Sequence, residues 1–414
     1  MRRLALWLSW LLMFVVPSED LVETGALGTI VRIVGLALAG VWVLSTLAAG
    51  RVRQPRAIHG VMIGYVLWCA ASTFWSLAPD DSELQTLTYV QLVLLVLIVY
   101  DLYETPADLN SSLQAYVFGN WVCGLVLLQG FASGDVHRRF TAGTYNENTL
   151  GFTLALALPM AWYLATTGRH RIGFLGERAA LLLRISNLAF IPVGIFGISL
   201  TASRASMASA LAAVGYMGLS LGRVPRGARI VLIAGAVAAA AYGVTLVPQA
   251  AQDRLMTTSA EMSDGDWNHR FPIWREALRL VSERPFTGVG IHAFHEGAVE
   301  TNSAPHNFVL SITGELGVVG LAIFLCILVG CGLSALRQPR DLGVFWLAML
   351  VVWGLNAATH NLEDKKQTWL LFGLIAVSEV LYRTPGAAPR ASAPRPDVAR
   401  PAARASASSR RVPG

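Results

Sequence analysis

Charge is scarce in this 414-residue chain: Asp, Glu, Lys and Arg make up 14% of it against 54% hydrophobic residues, and mean hydropathy is +0.52. A soluble domain carries roughly 25% charge. No polar stretch of ordinary domain size interrupts the apolar runs, which excludes a soluble enzyme and a disordered scaffold alike. Lysine is almost missing, since only Lys365 and Lys366 accompany 30 Arg. High-GC codon usage produces that bias unaided, although Arg also suits anion binding through its planar fork of donors. Cysteine is sparse too. Cys69, Cys123, Cys326 and Cys331 all fall inside apolar runs, without the spacing of a disulfide framework or a metal site. The N-terminal Met-Arg-Arg and the run Leu4 to Val16 lack a small-residue cleavage site before Pro17, so this segment reads as a short first span and not as a removable signal.

What the sequence does have is a succession of apolar windows, each about 20 residues long. They centre near residues 11, 38, 67, 94, 120, 158, 192, 213, 238, 322, 351 and 374. The expected fold is all-α: a polytopic membrane helix bundle of about twelve transmembrane helices over residues 1–382, with a disordered Arg/Ala/Pro-rich tail at 383–414. An even number of spans puts both termini on one side. The N-terminus, the even-numbered connections and the tail hold 21 of the 32 basic residues, which marks that side as cytoplasmic. Outer connections carry Glu19, Asp20, Glu23, Asp80, Asp81 and Glu83, while the cytoplasmic connection 101–108 dissents with Asp101, Glu104 and Asp108 and no basic residue. One long connection, about 249–305, lies outside the membrane. Within it Pro272 opens an amphipathic helix with Ile273, Trp274, Ala277, Leu278 and Val281 on its apolar face and Arg275, Glu276, Arg279 and Glu283 on its polar face. Such a helix lies along a membrane surface or caps a cavity.

Basic residues on the outer side run against the orientation bias, so each needs a reason. Arg204, in Thr201-Ala-Ser-Arg-Ala-Ser, sits at a short outer junction between two spans. It either snorkels to the headgroups or faces an anionic ligand. Arg138 and Arg139 precede Phe140-Thr-Ala-Gly-Thr-Tyr-Asn-Glu-Asn, where Asn146 and Asn148 lead into a helix. Free N–H groups there suit a phosphate or a sugar, or else these residues are ordinary caps. Arg270 stands at the positive end of the Pro272 helix, whereas most of Arg254, Arg275, Arg279 and Arg284, which share its loop, read as solvated surface charge. His306 is the acid–base candidate. Placed after Pro305 at the start of an apolar helix, its charged form is disfavoured by the helix dipole, leaving an imidazole able to accept a proton. Glu315 lies nine residues further, half a turn round an ideal helix, and so does not orient His306. The turn His360 to Lys366 reads as interfacial charge pairing with room for an acceptor contact, and Arg32 either faces the bundle interior or marks an earlier helix boundary.

Together, three separated Arg sites and one His suggest an anionic substrate and a proton transfer, as a lipid-linked pyrophosphate donor would require. At this point the sequence resembles the O-antigen ligase and polymerase superfamily of bacterial polytopic membrane glycosyltransferases. The resemblance rests on Arg270-Phe-Pro-Ile-Trp, Glu283-Arg-Pro-Phe-Thr-Gly-Val-Gly, and Pro305-His-Asn through Gly317-Val-Val-Gly320. Thr201-Ala-Ser-Arg-Ala is similar to the family's Ser-Arg motif. Tyr145-Asn-Glu-Asn looks like its Asn-Pro-Asn motif, with Glu147 in place of Pro.

The resemblance implies a metal-independent, inverting transfer of a glycan from undecaprenyl pyrophosphate to a lipid A–core sugar hydroxyl. The reaction would take place on the periplasmic side of the bacterial inner membrane, as part of lipopolysaccharide biosynthesis. Carried over residue by residue, His306 is the general base. Arg204, Arg270 and Arg139 hold the pyrophosphate, and Asn146, Asn148 and Asn307 contact substrate. No cofactor, metal or nucleic acid is implied; the partners are the donor, the lipid A–core or glycan acceptor, and membrane lipid. The alternatives are a polymerase that extends a lipid-linked glycan, and a lipid-linked sugar transporter. A transporter would place its polar breaks near mid-membrane and not at the outer boundary.

Overall fold

The computed structural model describes residues 1–21, 29–133, 140–141, 146–167, 177–230, 233–234, 249, 270–299 and 304–383. Among these residues there is helix and no β-strand. Thirteen α-helices follow in order among them: α1 (Arg2–Val15), α2 (Ile30–Ala49), α3 (Ala57–Ser72), α4 (Pro79–Leu102), α5 (Pro106–Ala132), α6 (Glu147–Thr166), α7 (Glu177–Thr201), α8 (Arg204–Ser220), α9 (Arg270–Glu283), α10 (Phe294–Gly297), α11 (Phe308–Leu336), α12 (Arg340–Ala357) and α13 (Lys366–Arg383). Nine of them, α2 to α8, α11 and α12, are long and apolar enough to cross a bilayer. The all-α polytopic fold therefore holds, but twelve spans are not reached among the described residues. Helix α1 has 14 residues; at 1.5 Å each it covers about 21 Å, short of the roughly 30 Å hydrocarbon core. The window near residue 238 and the tail lie outside the described residues.

Helix α6 forms the axis of one half. Of its apolar window 89% is buried against 17% for α2, because α5, α7, α8 and α12 all pack on it while α2 touches mainly α1. Helix α13 fills the other half between α4 and α11, with Trp369, Phe372 and Ser378 fully buried.

The two ends of the bundle differ in charge. At one end Arg2 pairs with Asp101 at 3.1 Å and Glu104 at 2.9 Å, the Arg53 N–H donates to Asp101, Arg56 meets Glu379, and Arg223 meets Asp341. The dissenting acidic connection is thereby explained: Asp101 and Glu104 are counter-charges to the arginines gathered there, while Asp108 closes the capping box of α5 with Thr105. At the opposite end Glu19 accepts from Thr29 and pairs with Lys366, tying the α1–α2 junction to α13. Arg32 falls in the first turn of α2, exposed, with Thr29 as N-cap, so it marks the earlier helix boundary.

Glycines shape the cap over this second end. Helix α11 is broken at Gly317, whose φ of 68° turns the chain so that Val318 N–H donates to Pro285 O and not up its own helix. Residues 318–336 then span about 28 Å, matching the membrane, and Phe308–Leu316 becomes a separate half-helix. The carbonyls freed by the break, Gly314 and Glu315, accept from Val289 and Gly290 N–H at 3.0 and 2.9 Å. So close a crossing leaves no room for side chains. A Cβ on Gly288, itself at φ 65°, would overlap the Glu315 carbonyl, and one on Gly317 would overlap that of Phe286. Gly288→Ala is expected to destabilise the protein by about 2 kcal/mol or more, read as a lower melting temperature in detergent. Gly215→Ala, where the added methyl meets nothing within 4 Å, leaves the melt unchanged.

Helix α9 packs Ile273, Ala277 and Leu280 onto Val289, Ala293 and Phe294, forming a second small core that Leu310 of the half-helix joins. This corrects the expected faces. Glu276, assigned to the polar face, is buried, where it accepts from Arg279 and from Val299 N–H at 2.9 Å, while Leu278 is 59% exposed. Arg279 also reaches Glu283 and Gly297 O, so among the loop arginines it is one that pins the cap.

Candidate functional site

The α7–α8 junction is a two-residue turn. Helix α7 ends at Thr201, Ala202 adopts the left-handed region at φ 47°, Ser203 occupies the N-cap position and Arg204 is the first residue of α8. A non-glycine residue at positive φ costs about 1–2 kcal/mol, which the surrounding packing must over-determine. Here the packing is tight. Gly151 of α6 lies so near that a Cβ on it would come within 2.6 Å of Ser206 Oγ, and Phe140 N–H donates to Leu200 O at 3.0 Å.

Asn146 takes the capping role at α6, its side chain accepting from Asn148 N–H at 2.9 Å. Arg138 and Arg139 lie outside the described residues. Beneath Arg204 runs a buried polar network: Ser206 shares a 3.0 Å hydrogen bond with Ser203 and donates to Asn356 Oδ1 at 3.1 Å, and Asn356 Nδ2 donates to Ser209 at 2.6 Å.

Arg270 is the first residue of α9, two positions earlier than the helix start expected at Pro272. Trp274, one turn on, donates its indole N–H to Pro305 O at 3.0 Å and so holds the residue before His306. His306 has φ 50°, in the left-handed region that His, Asn and Asp enter more readily than most residues. Asn307 follows as the N-cap of α11. Its Oδ1 accepts from Val309 and Leu310 N–H, and its Nδ2 donates to Ala358 O at 3.0 Å. Both ends of that amide are engaged with protein, so Asn307 positions His306 and the half-helix.

Three residues distant in sequence converge electrostatically. Burial, then the nearby Arg204 charge, holds the Arg270 guanidinium below its ordinary value. Burial, then the Arg270 charge, lowers the His306 imidazole. Arg270 makes no ion pair among the described residues, in contrast to Arg2, Arg56, Arg223 and Arg279. Guanidinium groups stay charged under these conditions, so the arrangement is a cationic site beside a neutral imidazole. Glu315 faces away, accepting from His292 N–H at 2.9 Å, as the half-turn spacing requires.

One residue escapes a reading of the sequence, and another is read only as part of its turn. Asn356 is fully buried, and its one signal is an amide inside an apolar run. Glu363 is buried, its carboxyl held above the ordinary carboxylate range by burial and then by Asp364. Nothing in the sequence separates it from the rest of its polar turn.

Residues 188–325 match the O-antigen ligase family model, a stretch that contains Arg204, Arg270 and His306. The chain is also 23% identical, over 297 residues, to a protein of Rickettsia conorii named a "putative polysaccharide ligase", covering 66% of this chain and 67% of that one. The resemblance drawn from the sequence motifs thus holds, and it supports a polysaccharide ligase type of function.

Proposed function

We propose that the protein transfers a glycan from undecaprenyl pyrophosphate to a lipid A–core sugar hydroxyl on the periplasmic side of the inner membrane. The observation that carries this reading is the convergence of Arg204, Arg270 and His306, with Arg270 lacking a counter-charge among the described residues. His306 removes the proton from the acceptor hydroxyl as its oxygen attacks the anomeric carbon. The bond from that carbon to the pyrophosphate oxygen breaks on the opposite face, which inverts the configuration. Negative charge grows on the departing lipid pyrophosphate and is met by Arg204 and Arg270, whose forks match phosphate oxygens. Arg139 is assigned as a further cation for the same group, and Asn146 and Asn148 as further substrate contacts.

The test is transfer by purified protein in detergent, given lipid pyrophosphate-linked glycan, rough lipopolysaccharide and EDTA. Capped lipopolysaccharide and released lipid pyrophosphate are the expected products. Product ladders on the carrier lipid would identify a polymerase instead, and no transfer under conditions that support a known ligase would refute the reading.

A pH dependence follows from the site. Because the folded protein holds His306 below the usual histidine value of roughly 6.5, the base remains neutral through neutral pH. Activity is lost only as pH falls beneath that value and the imidazole takes up its proton. Arg270→Gln removes one of the two causes, so the acid limb of its residual kcat/KM is expected to move upward toward the ordinary value. An unmoved limb would separate His306 from Arg270.

A further inference from the structure

We propose that Asn356 is a positioning residue that holds the cationic site and the base in register, an inference that rests on the transferase reading above. Asn356 sits in the last turn of α12 and is fully buried. Its side chain faces α8: Oδ1 accepts from Ser206 at 3.1 Å, while Nδ2 donates to Ser209 at 2.6 Å and to Val352 O at 3.0 Å. Ser206 and Ser209 lie two and five residues beyond Arg204 and are themselves buried. The α8 turn that carries Arg204 is therefore bolted to the end of α12 through one amide.

The backbone leaving the same turn meets the Asn307 cap. Asn356 O accepts from Thr359 N–H at 3.0 Å and from Thr359 Oγ1 at 3.2 Å, which sets how the chain leaves α12. Two residues after Asn356, Ala358 O receives Asn307 Nδ2 at 3.0 Å. Asn307 caps the half-helix and directly follows His306. One turn of α12 thus touches the Arg204 helix with a side chain and the His306 cap with a carbonyl. A buried amide with every polar atom engaged has one low-energy arrangement, because any rotation leaves a donor or an acceptor unmet away from water.

The experiment measures kcat and KM for transfer in wild type, Asn356→Leu, Arg204→Lys and the double variant. Asn356→Leu is expected to lower kcat/KM about thirtyfold, yet to cost less than about threefold more when Arg204→Lys is already present, since both act on the same cation. Additive losses, or an undiminished Asn356→Leu enzyme, would overturn the proposal. Asn356→Asp, nearly isosteric, keeps the acceptor for Ser206 and, when protonated, one of the two donor bonds, so it is expected to lose clearly less than leucine; a loss as large as that of leucine would count against the proposal. Should the leucine variant fail to fold, Ser206→Ala replaces it in the same cycle, with a smaller loss and the same coupling expected. Silence of the wild type itself would refute the transferase reading, and the role of Asn356 is then read from binding of inorganic pyrophosphate. The anion is expected to raise the melting temperature of the wild type and to raise that of Asn356→Leu much less; equal rises would overturn the proposal.

Discussion

His306→Asn is expected to reduce transfer by about 10²–10⁴-fold, the usual contribution of a positioned general base. Asparagine is the informative replacement because residue 306 sits at φ 50°, where Asn is among the better tolerated residues. It removes the proton acceptor without adding backbone strain, so the melting temperature should match wild type. His306→Ala loses the same chemistry and adds about 1 kcal/mol of strain, visible as a lower melt. If His306 acts only in the transition state, kcat falls while the donor KM holds. Transfer undiminished by His306→Asn would remove the base from the mechanism.

Arg204→Ala and Arg270→Ala are each expected to cost about 10²–10³-fold in kcat/KM, the scale of losing one charge stabiliser of a leaving group. Lysine at either position restores charge but not the fork, and should recover only part of the loss. The double alanine variant should fall short of the product of the single losses, because the two cations share one anion. Stability should move the other way. Arg204 and Arg270 repel each other in the free enzyme, so Arg270→Ala is expected to melt at or above the wild-type temperature while transferring poorly. A variant that both melts lower and transfers normally would make Arg270 a structural residue.

Much of this architecture is legible from the residues. Apolar windows locate the described spans, because a bilayer demands a length of apolar helix whatever surrounds it. Arg204, Arg270 and His306 stand out in the sequence because they fall at span junctions expected on the outer side, where positive charge opposes the orientation bias. Periodicity misplaces Glu276 and Leu278 on the faces of α9, since it reports amphipathicity but cannot see that a carboxylate is buried by its bonds to Arg279 and Val299. Asn356 is invisible for a related reason: its partners Ser206 and Ser209 lie about 150 positions away in sequence, and no local pattern encodes such a contact. Gly288 and Gly317 are readable as motif letters, while their reason, a backbone crossing too close for a Cβ, requires the fold.

The break at Gly317 also separates two mechanical tasks. Hydrophobic matching to the bilayer falls to residues 318–336, which can tilt as membrane thickness varies. The height of His306 is set instead by the half-helix, the Asn307 cap and the strap from residues 285–290. A continuous helix would join His306 to the span as one rod; the break instead makes the position of His306 a property of the cap, through the Asn307 N-cap and the Val318–Pro285 hydrogen bond.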